Sequence, residues 1–159
     1  MKNKFVVNRL LFVLLFIIIL LNCCSKSKNT ILKMNNLSQN YDSIANEVIE
    51  NGDTACYQEL WYENIDSPNK KFLYYAIIMA NKYKYPQAYY DVYDCLIKAY
   101  PDPLKLDSTT RKMAIEYLIK GAERKHPQSL ISLGELYIKG IIIKKDTVLG
   151  RKLKREGWK

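Results

Sequence analysis

Residues able to do chemistry are few in this chain and stand far apart. Cys23 and Cys24 adjoin at the end of an apolar run, whereas Cys56 and Cys95 are isolated, with neither CxxC spacing nor a histidine beside them. A thiol so placed packs as a small apolar residue, so Cys56 and Cys95 are expected to be buried and free. A disulfide between them, allowed in an oxidising compartment, is the alternative. The single histidine, His126, precedes Pro127 in a turn between helices and is expected to be exposed there. Asp91 and Asp94 are three residues apart, which puts both on one face of a helix. Such a pair ordinarily faces water; a glycoside hydrolase would need two carboxylates aimed into a cleft. No zinc or calcium ligand set is legible, and there is no glycine-rich phosphate loop. No catalytic residue, metal or cofactor is therefore expected, and the chain is read as a non-enzyme.

Tyrosine is the abundant functional side chain. Of the thirteen present, eight fall between Tyr74 and Tyr100, more than one helix face can bury. Tyr89, Tyr93 and Tyr100 suit a core stripe. Tyr83, Tyr85 and Tyr90 do not, and they form the candidate partner-binding surface, because tyrosine offers large contact area at low entropic cost. Ordinary aromatic packing is the competing account.

These side chains must be positioned by helices, since every segment from Tyr41 onward carries the helical period. Ile44, Ala45, Val48 and Ile49 make a stripe that stops at Gly52, with Asp53 as the next N-cap ahead of Cys56, Leu60 and Trp61. Ser67 and Pro68 restart the chain before Leu73, Ile77 and Ala80. Pro86 opens a helix whose stripe runs from Tyr89 to Tyr100, and Asp107 or Ser108 caps the next, which carries Ala114, Leu118 and Gly121. Pro127 starts a sixth helix and Asp146 caps a seventh. No useful β alternation occurs, so the fold class is all-α. "PQA" at 86–88 recurs as "PQS" at 127–129, an offset of 41 that sets Ile77 on Leu118, Ala80 on Gly121, Val92 on Leu133 and Leu96 on Tyr137. Residues 45–56 look like a weaker earlier copy. A period near 40 means stacked helix pairs, a short α-solenoid.

One residue in this scheme is out of place. Gly134 lies inside a helix whose other face carries Leu130, Leu133, Tyr137 and Ile138. Glycine there costs roughly 1 kcal/mol relative to alanine, so something must gain from the missing side chain.

The chain opens with Lys2, Lys4 and Arg9, then runs uncharged and apolar from Leu10 to Leu21. This is the layout of a secretory signal. The run is short of the ~20 residues of a spanning helix, and an uncleaved anchor is the alternative. "ILLNCC", with Leu20 three residues before Cys23, resembles a bacterial lipobox. That resemblance implies lipid on Cys23 (alternatively Cys24), a lipoprotein signal over 1–22, and a membrane-held protein, on the periplasmic face of the outer membrane. Residues 23–38, rich in Ser, Asn and Lys, read as a flexible tether, and 39–159 as the helical-repeat domain. Without residues 1–22 the chain keeps 22 Lys+Arg against 16 Asp+Glu, net +6. Residues 23–138 are balanced, so the excess lies in 139–159, with eight cations against Asp146 and Glu156. Such a run attracts anionic lipid or an acidic partner, or is the solvated face of a helix.

"SLISLGELYIKGIIIKKD" resembles the Sel-one-like repeat, a helical-hairpin relative of the tetratricopeptide repeat, through Ser129, Leu133, Gly134, Tyr137, Gly140, Ile143 and Asp146. The preceding "AIEYLIKGAERKHPQS" is similar to that family's helix end through Ala114, Tyr117, Lys120, Ala122 and Glu123. The match is close over residues 110–150 and loose over 40–110, where Val92 and Tyr93 replace the Leu-Gly pair and "AYPDPLKLDS" replaces the usual loop. The resemblance implies antiparallel helix pairs, with Gly134 at the close approach inside a hairpin and Gly140 ending its helix. It also implies a protein-binding role: an envelope adaptor or scaffold, or an immunity protein neutralising a secreted toxin. The alternative is a structural envelope lipoprotein that binds anionic lipid or cell wall through its basic tail. Nucleic acid is not an expected partner, and the oligomeric state is open.

Overall fold

Seven α-helices and no strand occur among the described residues of the computed structural model, 40–64, 71–99 and 103–159. The all-α expectation is met. Cys23, Cys24, the signal, the tether, Ser67, Pro68 and Tyr100 lie outside the described residues. No described helix is long and apolar enough to cross a membrane.

Helix starts follow the caps. α1, Tyr41–Asn46, begins where Asn40 accepts the Asp42 N–H at 3.1 Å, and continues as a π-helical turn over Glu47–Asn51. α2, Thr54–Asn64, starts with Asp53 accepting the Cys56 N–H at 2.7 Å. α3 spans Lys71–Asn81, and α4, Pro86–Lys98, has proline at its first position, where a missing N–H costs nothing. A 3-10 turn, Pro103–Lys105, leads to α5, Ser108–Glu123, capped by Asp107 through the Thr110 N–H at 2.9 Å. α6, Pro127–Lys139, again opens on proline, and α7, Thr147–Gly157, is capped by Asp146 through the Leu149 N–H at 2.9 Å.

One turn geometry recurs three times. A left-handed residue, Gly52 (φ 66°), Lys84 (φ 58°) or Lys125 (φ 61°), precedes the residue before α2, α4 or α6. The next N–H then reaches back to the end of the preceding helix: Asp53 to the Glu47 carbonyl at 3.3 Å, Tyr85 to Met79 at 3.0 Å, His126 to Gly121 at 3.1 Å. Buried positions recur with it. Ile44, Ala76 and Leu118 correspond, as do Val48, Ala80 and Ala122, Tyr57, Tyr89 and Leu130, and Leu60, Val92 and Leu133. Lysine in the left-handed region carries a steric cost that glycine does not. Lys84→Gly is accordingly expected to stabilise the chain by about 0.5–1 kcal/mol, read as a rise in the urea midpoint at unchanged slope.

The recurrence corrects the single offset of 41. It holds for α4 and α6, where Val92 matches Leu133. In α3 and α5 the buried sets match at 42 instead: Phe72 with Ala114, Ala76 with Leu118, Met79 with Gly121, Ala80 with Ala122. Four residues separate α3 from α4 and three separate α5 from α6, so the turn absorbs the difference. The proline-glutamine pairs sit beyond the turn and reported only the second helix.

The core has two clusters. The larger holds Ile44, Val48, Tyr57, Leu60, Phe72, Met79, Tyr89 and Val92; the smaller holds Leu118, Ala122, Leu130 and Leu133. Gly134 belongs to the packing of α6 on α7, not to the hairpin of α5 and α6. A Cβ on Gly134 would lie 2.6 Å from the Gly150 carbonyl oxygen, and a Cβ on Gly150 would lie 2.6 Å from that of Gly134. Gly157 meets Pro127 and Leu130 in the same way, so the two helices run antiparallel with backbones in contact. The expected close approach exists, but its partner is the following helix. Within the α5–α6 hairpin the close contact is Gly121 against Ser129. Gly140 takes the left-handed C-cap conformation as expected (φ 66°, ψ 29°).

Candidate functional site

The three tyrosines of the sequence-derived surface have different surroundings. Tyr83 lies flat over Gly52, and its hydroxyl donates to the carbonyls of Ile49 (2.8 Å) and Glu50, tying α4's approach to the π turn. Tyr85 packs edge-on against Tyr57, with centroids 5.7 Å apart. Both are half-buried against the larger core cluster. Tyr90 lines an open pocket. Among the described residues the tyrosines most open to solvent are Tyr62 and Tyr74, at 54% and 57% exposure.

The pocket is about 480 Å³ and is lined from three alternate helices. α2 contributes Trp61; α4 contributes Gln87, Tyr90, Asp91, Asp94 and Lys98; the start of α6 contributes His126 and Gln128. Gln87 and Gln128 hold equivalent places after the two proline starts.

Asp91 forms the floor and is the unusual group. It is 4% exposed, yet it is a carboxylate. Tyr57, 34 positions earlier, donates its hydroxyl to Asp91 Oδ2 at 2.7 Å. Loss of hydration pushes the Asp91 carboxyl up to about 7, and Asp94 pushes the same way; bonds from Tyr57 and Gln87 and the charge of Lys98 pull against this. Burial and the neighbouring carboxylate keep the Tyr57 hydroxyl protonated. Asp94 is paired with Lys98 at 2.7 Å.

The aromatic walls have a neutral neighbour. Tyr90 lies 5.8 Å from the His126 ring. Burial lowers the His126 pKa, so the ring is neutral at pH 7, with Nδ1 3.1 Å from Ser129 Oγ. The expectation of an exposed His126 and a solvated aspartate pair is corrected on both counts. His126 is half-buried beside the Tyr90 ring, and Asp91 faces inward, where Tyr57 supplies a donor. The signal was present: Ala88, Asp91, Val92 and Cys95 stand at i, i+3, i+4 and i+7, so Asp91 interrupts an apolar stripe.

This arrangement can recognise a ligand by aromatic contact and by hydrogen bonds to a mixed floor of acid, amide and neutral imidazole. It holds no activated nucleophile. Cys56 and Cys95 are unpaired and half-buried, less enclosed than expected, and burial pushes the Cys95 thiol up to about 12. No cluster of metal-ligating side chains occurs among the described residues. Ahead of α5, Leu104 and Leu106 are held by Arg111, whose Nη2 donates to their carbonyls at 2.9 Å and 2.6 Å. No known protein family matches this chain, and neither the curated proteins nor the solved structures contain a significant match.

Proposed function

We propose that this chain is a helical-repeat protein of the bacterial envelope, held to the membrane by lipid on Cys23 or Cys24, which binds another protein and catalyses no reaction. The observation that carries this reading is the pocket spanning α2, α4 and α6, with Trp61 and Tyr90 as walls and the buried Asp91 as floor. Aromatic anchors around a few polar groups are what protein interfaces concentrate at their centres. The thrice-repeated turn supports the finer description of residues 39–159 as a short α-solenoid of Sel-one-like helix pairs, in which equivalent helices line one continuous surface. "ILLNCC" supports the lipid anchor. Adaptor and immunity protein are two forms of this reading, separated by the partner: a resident envelope component in the first, a secreted toxin in the second.

The test is capture with the full chain in detergent, presented to envelope and secreted proteins of the producing cell. Tyr90→Ala and Asp94→Lys serve as pocket variants, each checked for an unchanged melting temperature. One partner retained stoichiometrically by the wild type and lost by both variants is the expected result. A partner that both variants retain, or no partner at all, would remove the pocket from the account.

A further inference from the structure

Four of the eight cations of 139–159, Arg151, Lys152, Lys154 and Arg155, lie on α7, a helix with an apolar edge. α7 packs on α6 through Leu153, Gly150 and Gly157. Its other face carries Val148, Arg151, Lys152, Arg155 and Trp158, at helical spacings i, i+3, i+4, i+7 and i+10. Val148 is 80% exposed and Trp158 74%, the two most exposed large apolar side chains among the described residues.

The charge on this face is unanswered. Of the two acids in 139–159, Asp146 is occupied in capping α7, and Glu156 pairs with Lys125 of the preceding turn at 3.6 Å. Lys154 pairs with Glu135 at 3.3 Å. No ion pair among the described residues engages Arg151, Lys152 or Arg155.

We infer that this face of α7 docks on an anionic lipid surface. A helix with cations along its polar face and tryptophan at its edge matches the boundary between headgroups and acyl chains, where the indole sits and the cations meet lipid phosphates. Val148 and Trp158, ten residues and about 15 Å apart along the axis, bracket the two arginines, so both apolar groups can enter one flat surface together. A second copy of the chain would set the same cations against each other. The inference rests on the envelope location in the reading above but needs no protein partner.

The test uses the full chain with Trp61→Phe, which leaves Trp158 as the single tryptophan. The protein is reconstituted into vesicles of phosphatidylcholine with brominated acyl chains, alone or mixed with phosphatidylglycerol. The expected result is blue-shifted, bromine-quenched Trp158 emission only with phosphatidylglycerol. Raised salt, or Arg151→Glu/Lys152→Glu/Arg155→Glu, is expected to lower the docked fraction at least about tenfold, with unchanged circular dichroism. Equal quenching in both vesicles would overturn the inference, since anchoring alone would explain it. So would an absence of quenching. Self-association, or an acidic protein bound through the same arginines, in place of lipid-dependent quenching would also overturn it. Capture through the pocket would survive any of these outcomes, so the two readings fail separately.

Discussion

Gly134→Ala is expected to destabilise the chain by about 1–2 kcal/mol, and Gly134→Leu by about 3 kcal/mol, although both replacements are better helix formers by up to ~1 kcal/mol. The reason is a contact between main chains. The new Cβ would meet the Gly150 carbonyl oxygen at 2.6 Å and the Lys154 amide nitrogen at 3.1 Å. Neither belongs to a side chain that can rotate away, so α7 as a whole must move, loosening Leu153 from Leu130 and Leu133. Gly150→Ala should cost a similar amount, since its Cβ meets Gly134 and Ile138. The double substitution should cost less than the two together, because one displacement relieves both clashes. Urea unfolding of the wild type and these four variants measures this. A stabilising Gly134→Ala would mean that the gap accepts a methyl group.

Asp91 is expected to give the chain an unusual dependence on pH. Its carboxyl titrates near 7 when folded, against about 3.9 in an unfolded chain. Between these values the folded state holds a proton that the unfolded state has released. Stability therefore falls as pH rises from about 4 to about 7, by about 3 kcal/mol. The capping aspartates act in the opposite direction. Asp53 and Asp107 have lowered values because backbone and side-chain groups at Cys56 and Thr110 bond to their carboxylates. Their contribution is lost only as pH falls through those lowered values, so the two effects occupy different windows. Asp91→Asn, which keeps an acceptor for Tyr57, should flatten the profile between pH 4 and 7 and be more stable than the wild type at pH 8. Thermal melts of both chains across this range measure it. A wild type whose stability rises steadily to pH 8 would show that Asp91 stays charged in the fold.

Local grammar makes the helices legible in the sequence. Pro86 and Pro127 open helices, Asp53, Asp107 and Asp146 cap them, and Gly52 and Gly140 end them, because each choice depends on backbone geometry within one turn of chain. What escaped depends on neighbours distant in sequence. The spacing around Gly134 marked a close approach without naming α7, since a helix face does not say which element covers it. Asp91 looked solvated because its donor, Tyr57, is 34 residues away. Tyr83 looked available for a partner because nothing local reveals that its ring covers Gly52. The pocket was missed for the same reason, as its walls come from three helices.

The recurring turns also bear on how the chain acquires its structure. Each is closed by one backbone bond spanning six residues or fewer, and helices pack chiefly on their sequence neighbours. Little loop entropy must be spent before a helix pair gains contacts, which is the condition for rapid folding. A pair such as α3 and α4 is complete once residue 98 is available, without waiting for α5 to α7. A chain crossing a membrane as an extended thread would thus begin to condense pair by pair on the far side, with each finished pair offering an apolar face to the next.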